Sequence, residues 1–162
     1  MYDWLMRELP AQGFVRYEIS NFARAGFESR HNLGYWRNVP YLGVGAGAHG
    51  YADGVRWANE SDTHAYISGI RADMSVRTPE DAERTRANAM EEYAFLALRT
   101  AEGIDEEDFR RTFGAAMDEV YADVIAKYTA QGLLRRSENH VALTEAGMKL
   151  GNGVFAAFLL EE

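Results

Sequence analysis

Near residue 75 the chain changes character, and that change limits what each half can fold into. Residues 1–75 hold all three tryptophans, nine of the fifteen glycines and three of the four histidines, with seven basic and eight acidic side chains. Residues 76–162 are dominated by helix formers and carry ten basic and seventeen acidic groups. The first half therefore predicts short strands and loops, the second packed helices. An apolar fraction of 47% over 162 residues is enough for a core, in one domain or two small ones.

The net charge of −8 opposes a nucleic-acid partner, whose phosphates are met by Lys and Arg, and opposes anionic membrane surfaces. There are no cysteines, which excludes disulfides, Cys-ligated zinc and a Cys-ligated iron–sulfur cluster held by these residues. Met1-Tyr2-Asp3-Trp4 does not open a signal peptide, and no run approaches the ~20 apolar residues of a membrane span. A soluble cytoplasmic protein is the expectation.

Along the first half, Tyr2, Leu5, Met6 and Leu9 share one helical face that ends at Pro10 and Gly13. Phe14–Ile19 alternates as a strand, and helix followed by strand suggests an αβ unit of a parallel sheet. Asn21–Asn38 reads as a long loop that could hold a short helical turn, and Tyr41–Val44 as a second strand running into Gly45-Ala46-Gly47-Ala48-His49. Ser61 or Asp62 caps a helix through Ile70. In the second half a helix starts near Pro79 and runs to about Thr100, a second covers Ile104–Phe113, and a third covers Ala115–Gln131. Leu133–Arg136 and His140–Leu143 form a hairpin, and Thr144 caps a last helix carrying Val154, Phe155 and Phe158. Three helices, a small β-wing and a further helix make a winged-helix-like pattern.

Several residues bear on function. Gly43-Val44-Gly45-Ala46-Gly47 is a weak nucleotide-loop signal; such small residues let a backbone approach a ligand and offer N–H groups, but a tight turn without ligand fits as well. Glu18 could meet a polar ligand group from a strand face, although a surface carboxylate is the commoner case. His31-Asn32-Leu33-Gly34-Tyr35-Trp36 sets an imidazole beside two aromatics: imidazole ligates haem iron and aromatic faces stack on flat macrocycles, while lone loop histidines are ordinarily structural. His64 and His140 have no partner pattern, and His49 is intermediate. No catalytic triad, zincin motif, P-loop or EF-hand is present.

Taken in order, Tyr17-Glu18-Ile19-Ser20-Asn21-Phe22-Ala23, Arg30-His31-Asn32-Leu33-Gly34-Tyr35-Trp36 and Leu42-Gly43-Val44-Gly45-Ala46-Gly47-Ala48-His49 closely resemble three consecutive blocks of the coproporphyrinogen III oxidase-like radical-SAM family. Leu143-Thr144-Glu145-Ala146-Gly147 resembles its C-terminal domain less specifically. The resemblance implies an α+β chain: residues 1–75 as the last αβ elements of an incomplete, TIM-like parallel barrel, and 76–162 as a helical, winged-helix-like domain. It implies a parent that holds a [4Fe–4S] cluster and S-adenosylmethionine elsewhere, so that this chain alone is expected to generate no radical.

The resemblance also implies site residues. The Gly45–His49 loop would line S-adenosylmethionine through Gly45, Ala46, Gly47, Ala48 and His49. The second block marks the haem-chaperone branch, with His31, Asn32, Tyr35 and Trp36 as the haem-binding group and His31 on the iron. Relatives often carry Cys where this chain has Ser29. The partners implied are haem or porphyrin and haem-receiving proteins. The competing readings are a fragment of the oxidase itself, which decarboxylates coproporphyrinogen III, and a winged-helix nucleic-acid module. Unpaired edges at Phe14–Ile19 or Tyr41–Val44 would favour pairing between copies of the chain.

Overall fold

A computed structural model describes residues 1–79 and 85–160. In chain order its elements are α1 (Tyr2–Ala11), β1 (Val15–Arg16), β2 (Phe22–Ala23), α2 (Arg30–Trp36), β3 (His49–Ala52), β4 (Val55–Asn59), α3 (Thr63–Arg71) and β5 (Arg77–Pro79). They continue with α4 (Arg86–Ala97), β6 (Ile104–Asp105), α5 (Glu106–Phe113), α6 (Met117–Ala130), β7 (Leu134–Ser137), β8 (His140–Leu143), α7 (Glu145–Lys149) and α8 (Gly151–Ala156). Two compact units result, Met1–Asn38 with Arg86–Glu162, and Val39–Thr85. Grouping by contact thus differs from the change in composition near residue 75.

In the first unit, α1 half-buries Tyr2, Leu5, Met6 and Leu9, the face its spacing predicts. The strand expected over Phe14–Ile19 is only two residues long. The Glu18 carboxylate accepts from the Ser20 N–H at 2.9 Å and its hydroxyl at 3.0 Å, while the Tyr17 N–H donates to the Asn21 carbonyl. This turn sends the chain back, so β1 pairs antiparallel with β2, Val15 opposite Ala23. Among the described residues every strand pair is antiparallel, and the parallel pairing expected of an αβ unit is not among them.

The remainder of this unit follows the helical pattern with local shifts. Asp105 accepts from the Glu107 and Asp108 amides at 2.9 and 3.0 Å, so α5 starts at Glu106. The extended residues before it, expected to be helical, become β6 and pair with β8, Ile104 opposite Val141. The predicted hairpin forms as β7–β8, Leu134 opposite Leu143 and Ser137 opposite His140. Thr144 Oγ1 caps α7 by accepting from the Gly147 N–H at 3.0 Å. A Cβ at Gly147 would lie 1.9 Å from the Leu133 carbonyl oxygen, which accounts for glycine there. The single last helix is interrupted at Leu150 and becomes α7 and α8.

The core of the unit is Leu98, Ile104, Phe109, Met117, Tyr121, Ile125, Leu134, Val141, Val154 and Phe158, all buried, with tilted and edge-on contacts linking Phe109, Tyr121 and Phe158. Arg136 ties the hairpin to two helices, reaching Glu106 at 2.6 and 2.8 Å and Asp118 at 2.8 and 2.9 Å.

The second unit is a three-stranded antiparallel sheet, β3–β4–β5, with α3. Asp62 caps α3 through the Ala65 N–H at 2.8 Å, as expected. Tyr41–Val44 is not a strand: Tyr41 makes a single bridge to Tyr51, and Leu42 and Val44 are 69% and 87% exposed. The edge that would have favoured pairing between copies is therefore missing there. Pro79, expected in the first turn of a helix, ends β5 opposite Trp57; β5 is an edge strand, where proline is tolerated. The expected first turns of that helix, at 80–84, lie outside the described residues, and α4 is described from Arg86.

Two stability measurements check this packing. Phe109→Ala removes a fully buried ring and is expected to cost about 3–5 kcal/mol in denaturant unfolding. Arg136→Met is expected to cost only about 1 kcal/mol, roughly 3 °C in Tm, because the network is partly solvated. Hydrogen bonding from Arg136 holds the Asp118 carboxyl below its ordinary value of 3.8. A depressed carboxylate contributes stability above its unfolded pKa and loses it as pH falls through the folded value. The gap between the parent chain and Arg136→Met should therefore close in acid; a gap that widens below pH 3.8 contradicts the assignment.

Candidate functional site

The stretch around His31, expected as a loop with room for a short helical turn, contains the seven-residue helix α2. Ser29 caps it, its hydroxyl accepting from the Asn32 N–H at 3.3 Å. The two pairs at i, i+4 spacing then point to neighbouring faces. His31 and Tyr35 are exposed, with ring centroids 4.7 Å apart at 74°, an edge-on contact. Asn32 and Trp36 are half-buried. The Arg99 guanidinium lies 4.6 Å from the Trp36 ring, and the Trp36 Nε1 is buried with no hydrogen-bond partner among the described residues. The four residues share one helix, but His31 and Tyr35 face solvent while Trp36 anchors the helix to the end of α4.

No hydrogen bond from the His31 ring is found among the described residues, and none there forms a cluster of three His, Cys, Asp or Glu able to hold a bare metal ion. A lone exposed imidazole with a stacked tyrosine suits iron already held by a macrocycle better than a free cation.

Glu18 is 1% exposed, not a surface carboxylate. Its side chain is used on Ser20, and its backbone bridges Thr100: the Ile19 N–H donates to the Arg99 carbonyl and the Ala101 N–H to the Tyr17 carbonyl, both at 3.0 Å. The residue serves the turn and seam that position α2. His64 is exposed on α3, and His140 is half-buried in β8. A cavity of about 580 Å³ lined by Ile19, Arg99, Tyr128, Met148 and Leu150 contains none of the expected site residues.

In the second unit the small-residue loop is folded on Asn59, which is 5% exposed. The Asn59 Nδ2 donates to the Gly43 carbonyl at 3.2 Å and the Gly45 carbonyl at 2.9 Å. Gly45 and Gly47 have φ of 108° and 68°, which side-chain-bearing residues rarely adopt. The expectation of free amides needs correction at three of the four positions: the Gly45 N–H donates to the Tyr66 hydroxyl, Gly47 to the Glu60 carbonyl and Ala48 to the Gly45 carbonyl. What Gly45, Ala46, Gly47 and Ala48 can offer a ligand is close approach. His49 follows, exposed, at the start of β3. Neither Asn59 nor Arg99 carried a signal in the sequence, since each acts through a tertiary contact.

Comparison with known proteins follows the same lines. The HemN C-terminal domain family matches residues 85–150. The chain is 42% identical over 161 residues to a Bacillus subtilis protein named heme chaperone HemW, covering 99% of this chain and 42% of that protein. It is 35% identical over 162 residues to the Lactococcus lactis protein of the same name, covering 100% of this chain and 42% of that one. The chain thus spans about two fifths of the length of these relatives. A solved structure of coproporphyrinogen III oxidase (HemN) from Escherichia coli, described as a radical SAM enzyme, superposes with a TM-score of 0.71 over 97% of this chain and 39% of that one. At 14% identity that likeness shows the fold, a mixture of helix and sheet.

Removing the Asn59 clamp tests the loop geometry. Asn59→Ala is expected to speed amide exchange at Gly47 and Ala48 and to cost about 1–3 kcal/mol; unchanged exchange would show that the loop holds its shape without Asn59. Three sequence blocks, the C-terminal domain match and the named relatives converge: the chain resembles the C-terminal part of the coproporphyrinogen III oxidase-like radical-SAM family, and most resembles its haem chaperones, HemW.

Proposed function

We propose that this chain is the haem-binding, C-terminal part of a radical-SAM haem chaperone, with His31 as the residue that meets the iron. The observation that carries the reading is the exposed His31 ring on a capped helix, flanked edge-on by Tyr35 and making no hydrogen bond of its own among the described residues. Haem iron takes an axial nitrogen ligand, and a neutral imidazole supplies one. Tyr35 limits the orientations of the ring and covers part of the macrocycle. Trp36, stacked under Arg99, and the backbone amide of Asn32, bonded to the Ser29 cap, hold the helix in place, and the Asn32 and Trp36 side chains would complete the haem contact.

In the whole protein, residues 1–75 would complete a radical-SAM barrel and 76–162 would form the appended winged-helix-like domain. The helix–strand–helix–helix–hairpin order of α4, β6, α5, α6, β7 and β8 supports the second part. The Gly45–His49 loop would line S-adenosylmethionine by close backbone approach. Haem is the cargo, and haem-receiving proteins are the partners.

The oxidase reading leans on the solved HemN structure, whose 14% identity speaks for fold alone, while relatives at 42% and 35% identity bear the chaperone name. Against the nucleic-acid reading, three of the four clustered arginines are engaged within the chain: Arg136 is held by Glu106 and Asp118, Arg135 donates to the Ala101 carbonyl, and Arg111 pairs with Asp108.

Haem titration followed at the Soret band tests the proposal. His31→Ala should weaken binding by at least tenfold and alter the band, whereas His64→Ala, at an exposed histidine outside the motif, should bind like the parent chain. Equal binding by the two variants would refute the assignment.

A further inference from the structure

The segment leading into α2 carries an aromatic surface that the reading above does not use. Phe14, Phe22, Ala23, Arg24 and Phe27 line a shallow cleft of about 430 Å³ beside the β1–β2 pair. Phe27 is 80% exposed and forms one contiguous aromatic patch with Phe14 and Phe22. The turn is built: the Phe27 N–H donates to the Arg24 carbonyl at 2.9 Å, Gly26 sits at φ 83°, and the Glu28 carboxylate accepts from the Gly26 N–H at 3.2 Å. Arg24 and Phe27 are therefore the first and fourth residues of one tight turn and line the same cleft. The Arg24 guanidinium lies 5.3 Å from the Phe14 ring centroid.

We propose that this cleft is a second contact for the same cargo, taking the edge of a flat tetrapyrrole on its phenylalanines and one of its carboxylates on Arg24. The proposal rests on the haem reading of His31 and extends it. Aromatic rings offer a flat apolar ligand a stacking surface, and a guanidinium at the rim complements an anionic carboxylate. Phe27 and His31 are four residues apart, so their backbones lie within about 14 Å of each other even if the chain were fully extended. A macrocycle ligated at His31 is wide enough to approach the cleft, and the capped start of α2 at Ser29 fixes the path between the two.

The two contacts can be separated by removing the metal. Protoporphyrin IX without iron keeps the flat ring and both carboxylates but has nothing for His31 to ligate; its dimethyl ester also lacks the charge that Arg24 would meet. Fluorescence titrations of the whole chain with both compounds, and Soret titrations with haem, are run on Phe27→Ser, Arg24→Gln and His31→Ala. Arg24 and Phe27 are exposed, so both cleft variants should keep the parent circular dichroism.

Phe27→Ser is expected to weaken all three ligands about tenfold. Arg24→Gln should weaken protoporphyrin and haem similarly but leave the dimethyl ester unchanged, and His31→Ala should affect haem alone. If both cleft variants bind protoporphyrin like the parent while His31→Ala still loses haem, the cleft proposal is overturned and the haem reading stands. If His31→Ala binds haem like the parent, the reading of His31 fails; protoporphyrin binding that still depends on Phe27 and Arg24 would then support the cleft by itself.

Discussion

The arrangement of the first unit depends on a short backbone seam between Tyr17–Ile19 and Arg99–Ala101. Two hydrogen bonds of 3.0 Å and the Glu18–Thr100 bridge join segments some eighty residues apart in the chain. The seam lies at the end of α4, where Leu98 and Ile104 enter the core, so the N-terminal residues are held against an already packed helical body. Glu18 is buried because its carboxylate closes the turn that makes this possible, and Thr100 turns its hydroxyl to the Ala97 carbonyl and the Gly103 amide. A carboxylate placed this deep is tolerable only with such partners.

From that seam the position of α2 follows. A helix of seven residues is too short to persist alone. It is stabilised by the Ser29 cap at one end and by Trp36 against Arg99 at the other, with Arg37 reaching Glu102 at 3.0 Å. These contacts use Ser29, Trp36, Arg37 and the backbone amide of Asn32, while the face bearing His31 and Tyr35 is exposed. The helix thus divides its motif between residues that hold it and an exposed face that carries His31. Ser29 belongs to the holding set.

Much of this was legible in the sequence where the signal was local. The α1 face, the Asp62 and Thr144 caps, the acidic first turn of α5 and the β7–β8 hairpin follow from side-chain periodicity and capping chemistry. The errors came where a tertiary partner decides. Phe14–Ile19 alternates like one strand, yet the turn at Glu18 and Ser20 divides it between two partners. Tyr41–Val44 looks like a strand, yet Asn59 gathers the Gly43 and Gly45 carbonyls and leaves Leu42 and Val44 exposed. Asn21–Asn38, rich in Gly and Asn, gave no helical periodicity, and α2 owes its existence to a cap and one cation–π contact. The candidate site residues were singled out by the order of their blocks, while their placement on one short helix needed the structure.

The central claim is that haem meets the chain at the exposed face of α2. Ferric haem is paramagnetic and broadens nearby nuclear resonances steeply with proximity, so amide spectra recorded during a titration map its position without any mutation. The account predicts that signals of Arg30–Trp36 broaden first, before those of His64 and His140. Broadening centred on His64 or His140, with the Arg30–Trp36 signals unaffected at equal occupancy, would contradict it.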